Sequence, residues 1–463
     1  MHPVVTRVVS FLRRRVIAAA AVAALAGWAI VSSPVLDAAV APPKLQYQRF
    51  TLPNGLTVIF HTDRSTPIVN VQVWYHVGSK NEKPGRTGFA HLFEHMMFKG
   101  SKNVEPEQHT SIVSSVGGRA NAYTTEDTTV YWETVPSQYL PLVLWMEADR
   151  LGSLRIDEQT FVSEREVVKE ERRMRVDNQP FGNLNELLYR NAFTTHPYKN
   201  PVIGSMADLD AATIDDVRNF FDTFYIPANA TVLVAGDFDE AATRDLITRY
   251  FGKIPAGAGK VPRDIAQEPE QTKEKRVTLQ EAWPLPAVVV AHKITYDGNP
   301  DSYPLHVLAK VLSDGNSSRI YKSLVYDKRL AVAAFGSANL IEHPNLFYAV
   351  AIVAPGQSME AAEKALIAEL DRAAAEGITD RELQRAKNQF ARDYILMRET
   401  VQEKAQILAH AEVLHADITT ADGEFTIFQN MTRAEVQRVA KKYFTPASRL
   451  VMHVSPKNGG SRP

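Results

Sequence analysis

The sequence predicts an α+β protein built from two copies of one unit, each a mostly antiparallel sheet packed with helices. The main observation is an internal echo. Residues 214–237 run as an amphipathic helix, a turn at Pro227 and an apolar strand, and residues 433–456 repeat that order around Pro446. Val217 to Pro227 and Val436 to Pro446 are both ten apart, so the register of the two copies agrees. The second observation is length: about 420 residues follow an N-terminal targeting stretch, more than one core usually organises. The third is that strand-like runs alternate with helical ones along the first copy.

Residues 1–43 read as that targeting stretch. Arg7, Arg13, Arg14 and Arg15 precede an apolar, alanine-rich run from Val16 to Val31, and the small residues Ala38, Ala39 and Ala41 follow. The run is shorter than the ~20 residues of a membrane span, so a secretory signal peptide is expected, with an uncleaved anchor as the alternative. Export, most plainly to a bacterial periplasm, follows. The chain carries 52 basic and 53 acidic residues, which gives no sign of a nucleic-acid footprint, and it has no cysteine, which excludes disulfides and thiolate ligands.

From Lys44 to Asp63 a hairpin turns at Pro53-Asn54-Gly55, and Val69 to Val77 continues as a third strand. A polar loop leads to Gly88-Phe-Ala-His91-Leu-Phe-Glu94-His95-Met. His91, Glu94 and His95 stand at i, i+3 and i+4, which an α-helix gathers on one surface, so both imidazoles can reach one cation with the carboxylate beside it. Neutral imidazole suits Zn²⁺, and a carboxylate kept off the metal can serve as general base. Phe89, Leu92, Phe93, Met96 and Met97 surround these polar groups, so the helix is expected to be largely buried, where polar groups need partners.

Residues 111–116 read as a short helix, and Asn121 to Thr124 and Thr128 to Val135 as strands. Helices follow near 140–151 and 157–176. The second carries Glu164, Glu166, Glu170 and Glu171; Glu164 and Glu171 are two helical turns apart, and Val167, Val168 and Met174 are expected to form its apolar side. Taken alone, that charge run also reads as a solvated helix. Further helices are expected at 183–191 and 215–224, with His196 in a proline-rich loop between them and a structural role for that histidine.

The first copy is therefore expected to span 44–253, a linker rich in Pro, Gly, Lys and Glu 254–275, the second copy 276–457, and a tail 458–463. In the second copy the counterpart of the histidine helix is expected near 301–312. There His306 is followed by Ala309 and Lys310 where the first copy has Glu94 and His95, so this half reads as metal-free scaffold.

The His-x-x-Glu-His order and the downstream glutamates resemble the insulinase/pitrilysin family of zinc peptidases, and most of all its smaller branch, which includes the mitochondrial processing peptidase β-subunit and bacterial periplasmic relatives. Glu171 follows His95 by 76 residues and Glu164 by 7, matching the family pattern. The resemblance implies His91, His95 and Glu171 as Zn²⁺ ligands, with Glu170 the rival in register, Glu94 as base, and Glu164 as the group behind the ligands. It further implies that Asn121 and Ala122 lie on an edge strand that pairs with substrate backbone, and that the chain forms half of a clam-like chamber cutting peptides or unfolded polypeptides. A catalytically silent binding or assembly subunit is the alternative function, against which the intact His-Leu-Phe-Glu-His and Glu171 argue. Relatives also use an arginine and a tyrosine from a silent domain to hold the substrate. The matching stretch here, Leu324 to Val332, has Val325 and Val332 at those places, which implies an inactive paralogous subunit as partner. A homodimer using Tyr326 or Arg329 is the alternative assembly.

Overall fold

A computed structural model describes residues 42–257 and 259–457; the expected targeting stretch lies, apart from its last two residues, outside them, as does the expected tail. Among the described residues, no helix is long and apolar enough to cross a membrane. The body from residue 44 onward is one compact unit containing two sheets.

The first sheet is formed by β1 (Gln48–Thr51), β2 (Thr57–Thr62), β3 (Ile68–Tyr75), β4 (Arg119–Thr124), β5 (Thr129–Pro136) and β6 (Ala230–Gly236) in the order β1-β2-β6-β3-β5-β4. The second contains β7 (Lys275–Glu281), β8 (Ala287–Lys293), β9 (Ala331–Ala338), β10 (Leu346–Val353) and β11 (Arg449–Pro456) in the order β7-β11-β8-β10-β9. Apart from the extra edge strand β1, the two orders superimpose one for one. Each sheet has a single parallel pair, β2 with β6 and β7 with β11, because the last strand of each unit returns by helices rather than by a hairpin.

The helices that position the site also correspond pairwise. In the first half they are α1 (Phe89–Met96), α2 (Leu140–Ser153), α3 (Glu158–Arg172), α4 (Leu184–Ala192) and α5 (Ile214–Phe224). Their counterparts in the second are α6 (Ser302–Leu312), α7 (Met359–Glu376), α8 (Asp380–Leu396), α9 (Val401–Leu414) and α10 (Arg433–Tyr443). Both α5 and α10 begin with a threonine capping box, at Thr213 with Asp216 and at Thr432 with Glu435, which satisfies the first backbone N–H groups reciprocally.

Strands β6 and β8 are apolar on both faces over most of their length, and the packing explains why. On β6, Val232 and Val234 face the core under α1, α2 and α5, while Leu233 and Ala235 face the opposite side. That opposite side is covered by α9, a helix of the second half, through Ala405, Leu408 and Ala409. The exchange is reciprocal: Val289 and Ala291 of β8 meet Leu184, Leu187 and Leu188 of α4, a helix of the first half. Strands covered on both sides carry near-continuous apolar runs instead of strict alternation.

Candidate metal centre

The backbone that starts α1 admits only a glycine comfortably. Gly88 has φ of 90°, and a Cβ there would lie 2.8 Å from the Ile203 carbonyl oxygen. The first turn is held by Glu82, whose carboxylate accepts from the N–H groups of Gly88 and Ala90, both at 2.9 Å. Phe89, Leu92, Phe93 and Met96 are buried, with the Phe93 ring 4.3 Å from Tyr225 and 5.5 Å from Phe221, centroid to centroid. Burial of that face leaves His91, Glu94 and His95 together on the other.

Helix α3 starts at Asp157, whose side chain accepts from the Thr160 N–H. Its packed side is Phe161, Glu164, Val168 and Arg172, with Arg172 paired to Glu186. Two of the apolar residues expected on that side are elsewhere: Val167 is 46% exposed and Met174 61% exposed. They stand at i−4 and i+3 from Glu171, round the helix from the packed side, and the last turn widens over Arg173–Asp177.

The two helices bring His91, His95 and Glu171 together, with ligand atoms all within 4.8 Å of one another. Nε2 of His91 lies 3.7 Å from Glu171 Oε2, and Nε2 of His95 lies 3.2 Å from the same oxygen. The imidazole centroids are 4.9 Å apart with the rings tilted by 72°. Glu170 points outward and pairs with Arg173 at 2.8 Å. Behind the cluster, Glu164 Oε2 lies 3.6 Å from His95 Nδ1, and its other oxygen is 3.0 Å from Lys99 Nζ. Glu94 stands apart from these contacts, its Oε2 accepting from the Thr124 hydroxyl at 2.6 Å.

This donor set fits a tetrahedral zinc ion with one position open: two imidazoles and a carboxylate oxygen. His91 Nδ1 is buried without a hydrogen-bond partner. Burial opposes charge on His95, yet the hydrogen bonds of Glu164 and Glu171 and the charges of Glu171 and Glu94 prevail and raise its imidazole to about 9. The centre therefore favours positive charge. Burial, then the neighbouring His95, pushes His91 down and keeps it neutral. Burial also raises the Glu94 carboxyl, partly countered by the Thr124 hydroxyl.

Strand β4 ends at Thr124, beside Glu94, and is the free edge of the first sheet. The Ala122 N–H is met by the side-chain oxygen of its own neighbour Asn121 at 2.9 Å, and Asn121 is exposed. His196 sits outside the cluster, buried against Tyr198 and accepting its N–H at Nδ1. In the second half, α6 and α8 replace the cluster with an ion pair, Lys310 Nζ to Asp393 Oδ2 at 2.9 Å, and His306 packs edge-on against the stacked rings of Phe390 and Phe428. Sequence reasoning did not find Thr124, Lys99 or Glu82, which reach the site through the fold rather than through spacing.

Residues 57–206 match the family model described as insulinase (peptidase family M16), and residues 211–390 match that of the peptidase M16 inactive domain. The zinc protease PqqE of Helicobacter pylori is 31% identical over 414 residues, 89% of this chain and 93% of that protein. The crystal structure of a protease from Helicobacter pylori has a TM-score of 0.85 at 31% identity, over 89% of this chain and all of that one. The periplasmic protease PqqL from Escherichia coli shares the fold at 18% identity and a TM-score of 0.72, with this chain covering 48% of it.

Proposed function

The chain belongs to the insulinase (peptidase M16) family, whose cofactor is Zn²⁺, and on that footing we propose that it is a zinc-dependent endopeptidase cutting peptides and unfolded polypeptides. The observation that carries the reading is that the His91 and His95 Nε2 atoms converge on one Glu171 oxygen while Glu94 stands aside on Thr124. His91, His95 and Glu171 would hold the ion, which when bound supplies Lewis acidity to the scissile carbonyl and to the attacking water.

Glu94 takes the proton of that water and passes it to the leaving amine. The Thr124 hydroxyl holds one Glu94 oxygen and leaves the other for the water. Glu164, itself held by Lys99, keeps the His95 ring turned with Nε2 toward the centre. The open edge of β4 binds the substrate as an added strand, with the Ala122 N–H exchanging the Asn121 side chain for a substrate carbonyl. Exposed Val167 and Met174 flank Glu171 and give an apolar surface to an extended substrate. Such docking reads backbone and excludes folded proteins. The test is hydrolysis of casein and oligopeptides by the zinc-loaded chain, abolished by a chelator and restored by Zn²⁺. Activity indifferent to chelation would refute the reading.

The catalytic unit is proposed to be a heterodimer. Val325 and Val332 offer no hydrogen-bond donor where a substrate-holding arginine and tyrosine are expected, so these come from an inactive paralogue. Tyr326 and Arg329 are both exposed and serve the same purpose in the alternative homodimer. Full turnover by the lone monomeric chain would defeat both assemblies. Export is proposed from the basic and apolar N-terminal stretch.

A further inference from the structure

We propose that Asp297, His410 and His415 form a second binding site for a divalent transition-metal ion of the zinc class, in the half of the chain that lacks the His-x-x-Glu-His motif. The three ligand atoms lie within 4.8 Å of one another. Their geometry repeats that of the first centre. There, one Glu171 oxygen lies 3.7 and 3.2 Å from two imidazole Nε2 atoms whose rings are 4.9 Å apart. Here, Oδ2 of Asp297 lies 3.6 Å from His410 Nε2 and 3.0 Å from His415 Nε2, and the rings are 5.2 Å apart at 84°.

Hydrogen bonding orients the group for a cation. The Thr420 hydroxyl donates to the Asp417 carbonyl at 2.8 Å, so its oxygen is left to accept from His415 Nδ1 at 2.9 Å. In the neutral ring a proton on Nδ1 leaves a lone pair on Nε2 facing a carboxylate oxygen at 3.0 Å, an arrangement that calls for a second proton on the ring or a cation between the two. The juxtaposition is favourable when a cation lies between them. Asp297 is prepared in the same way: Oδ1 accepts the Gly298 N–H at 2.9 Å, and Oδ2 is left for the centre. Another histidine and carboxylate cluster, His109 with Glu133 and Glu147, differs in that Arg150 already supplies its positive charge. Among the described residues, the ion-pair partners of Asp297 are the two imidazoles alone.

The site opens onto a cavity of about 400 Å³ whose wall includes His306, His410, His415 and Glu424. The His410 side chain is 41% exposed, so an ion can enter. Two imidazoles and one carboxylate leave a fourth position to water and select zinc-class ions over Mg²⁺ or Ca²⁺, which favour all-oxygen sites. Asp297 lies in the loop after β8, whereas His410 is on α9, the helix that covers the first sheet. A bound ion would thus tie the second half to the helix it lends to the first.

The test is zinc content of the untagged full chain after dialysis against Zn²⁺ with a weak competing chelator, read by elemental mass spectrometry. Two equivalents per chain are expected for wild type, one for the H91A/H95A variant and one for H410A/H415A. Asp297→Asn preserves shape, so it should also retain one equivalent if the double variant fails to fold. Zn²⁺ should raise the melting temperature of H91A/H95A, and adding D297N should abolish the rise. One equivalent in wild type and none in H91A/H95A would overturn the proposal, as would two equivalents in D297N. One equivalent kept by H91A/H95A but lost from H410A/H415A would support it while refuting the catalytic metal reading.

Discussion

Glu164 lies behind the proposed metal ligands, 3.6 Å from His95 Nδ1 and paired with Lys99 at 3.0 Å, and in the proposed mechanism it orients the His95 ring. Groups behind a metal ligand commonly tune affinity by about 10–100-fold. Glu164→Ala should therefore weaken zinc binding by about that factor in a chelator competition, with the loss partly recovered in Glu164→Gln. Unchanged affinity would remove Glu164 from the site. The His91, Glu94 and His95 constellation was legible because its geometry is local: helical spacing alone puts the three on one face. Glu171 was legible only through resemblance, since nothing in its neighbourhood distinguishes it from Glu170. The outward position of Glu170 is a consequence of how α3 packs through Phe161 and Val168. Val167 and Met174 were misplaced for the same reason, because the helix rotates its apolar pair past Glu171 to the exposed side.

The exchanged helices α4 and α9 are the elements on which the joint between the halves depends. Leu188 on α4 and Leu408 on α9 are both fully buried. Leu188→Ala and Leu408→Ala should each cost about 2–5 kcal/mol in chemical denaturation, as large-to-small substitutions in cores do. Each should also leave a single unfolding transition, since either helix is core to the opposite sheet. Two resolved transitions in either variant would contradict the reciprocal packing. The repeat itself could be read from the sequence, because α5 with β6 and α10 with β11 share their capping boxes, prolines and apolar strands. The exchange could not. The apolar face of Val401–Leu414 states that the helix covers something, and only the folded chain determines that it covers the first sheet.

At the level of the entire chain, the halves also meet through charge. Glu342 of the second half pairs with His76 at 2.7 Å and with Lys80, and its backbone N–H donates to Asp127 at 3.1 Å. Burial alone would raise the Glu342 carboxyl, but the hydrogen bond and charge of His76 and the charge of Lys80 outweigh it and hold the group at about 2, against an ordinary value of 4.5. A depressed carboxylate contributes stability that is complete above its ordinary value and is lost as pH falls toward the depressed one. On H91A/H95A protein, in which the proposed His91–His95–Glu171 metal site is disabled, the stability difference between the Glu342 chain and its Glu342→Gln variant should therefore shrink between about pH 4.5 and 2. A constant difference across that window would show that the pair does not operate. For the proposed chemistry, the decisive measurement is zinc content and peptide hydrolysis made side by side on Glu94→Gln and Glu171→Ala. General-base removal commonly costs about 10²–10⁴-fold, so Glu94→Gln should retain its catalytic zinc and lose hydrolysis by at least that range, while Glu171→Ala should lose both. A Glu94→Gln protein that cuts peptides at near wild-type rate, or one that loses its zinc as Glu171→Ala does, would contradict the assignment.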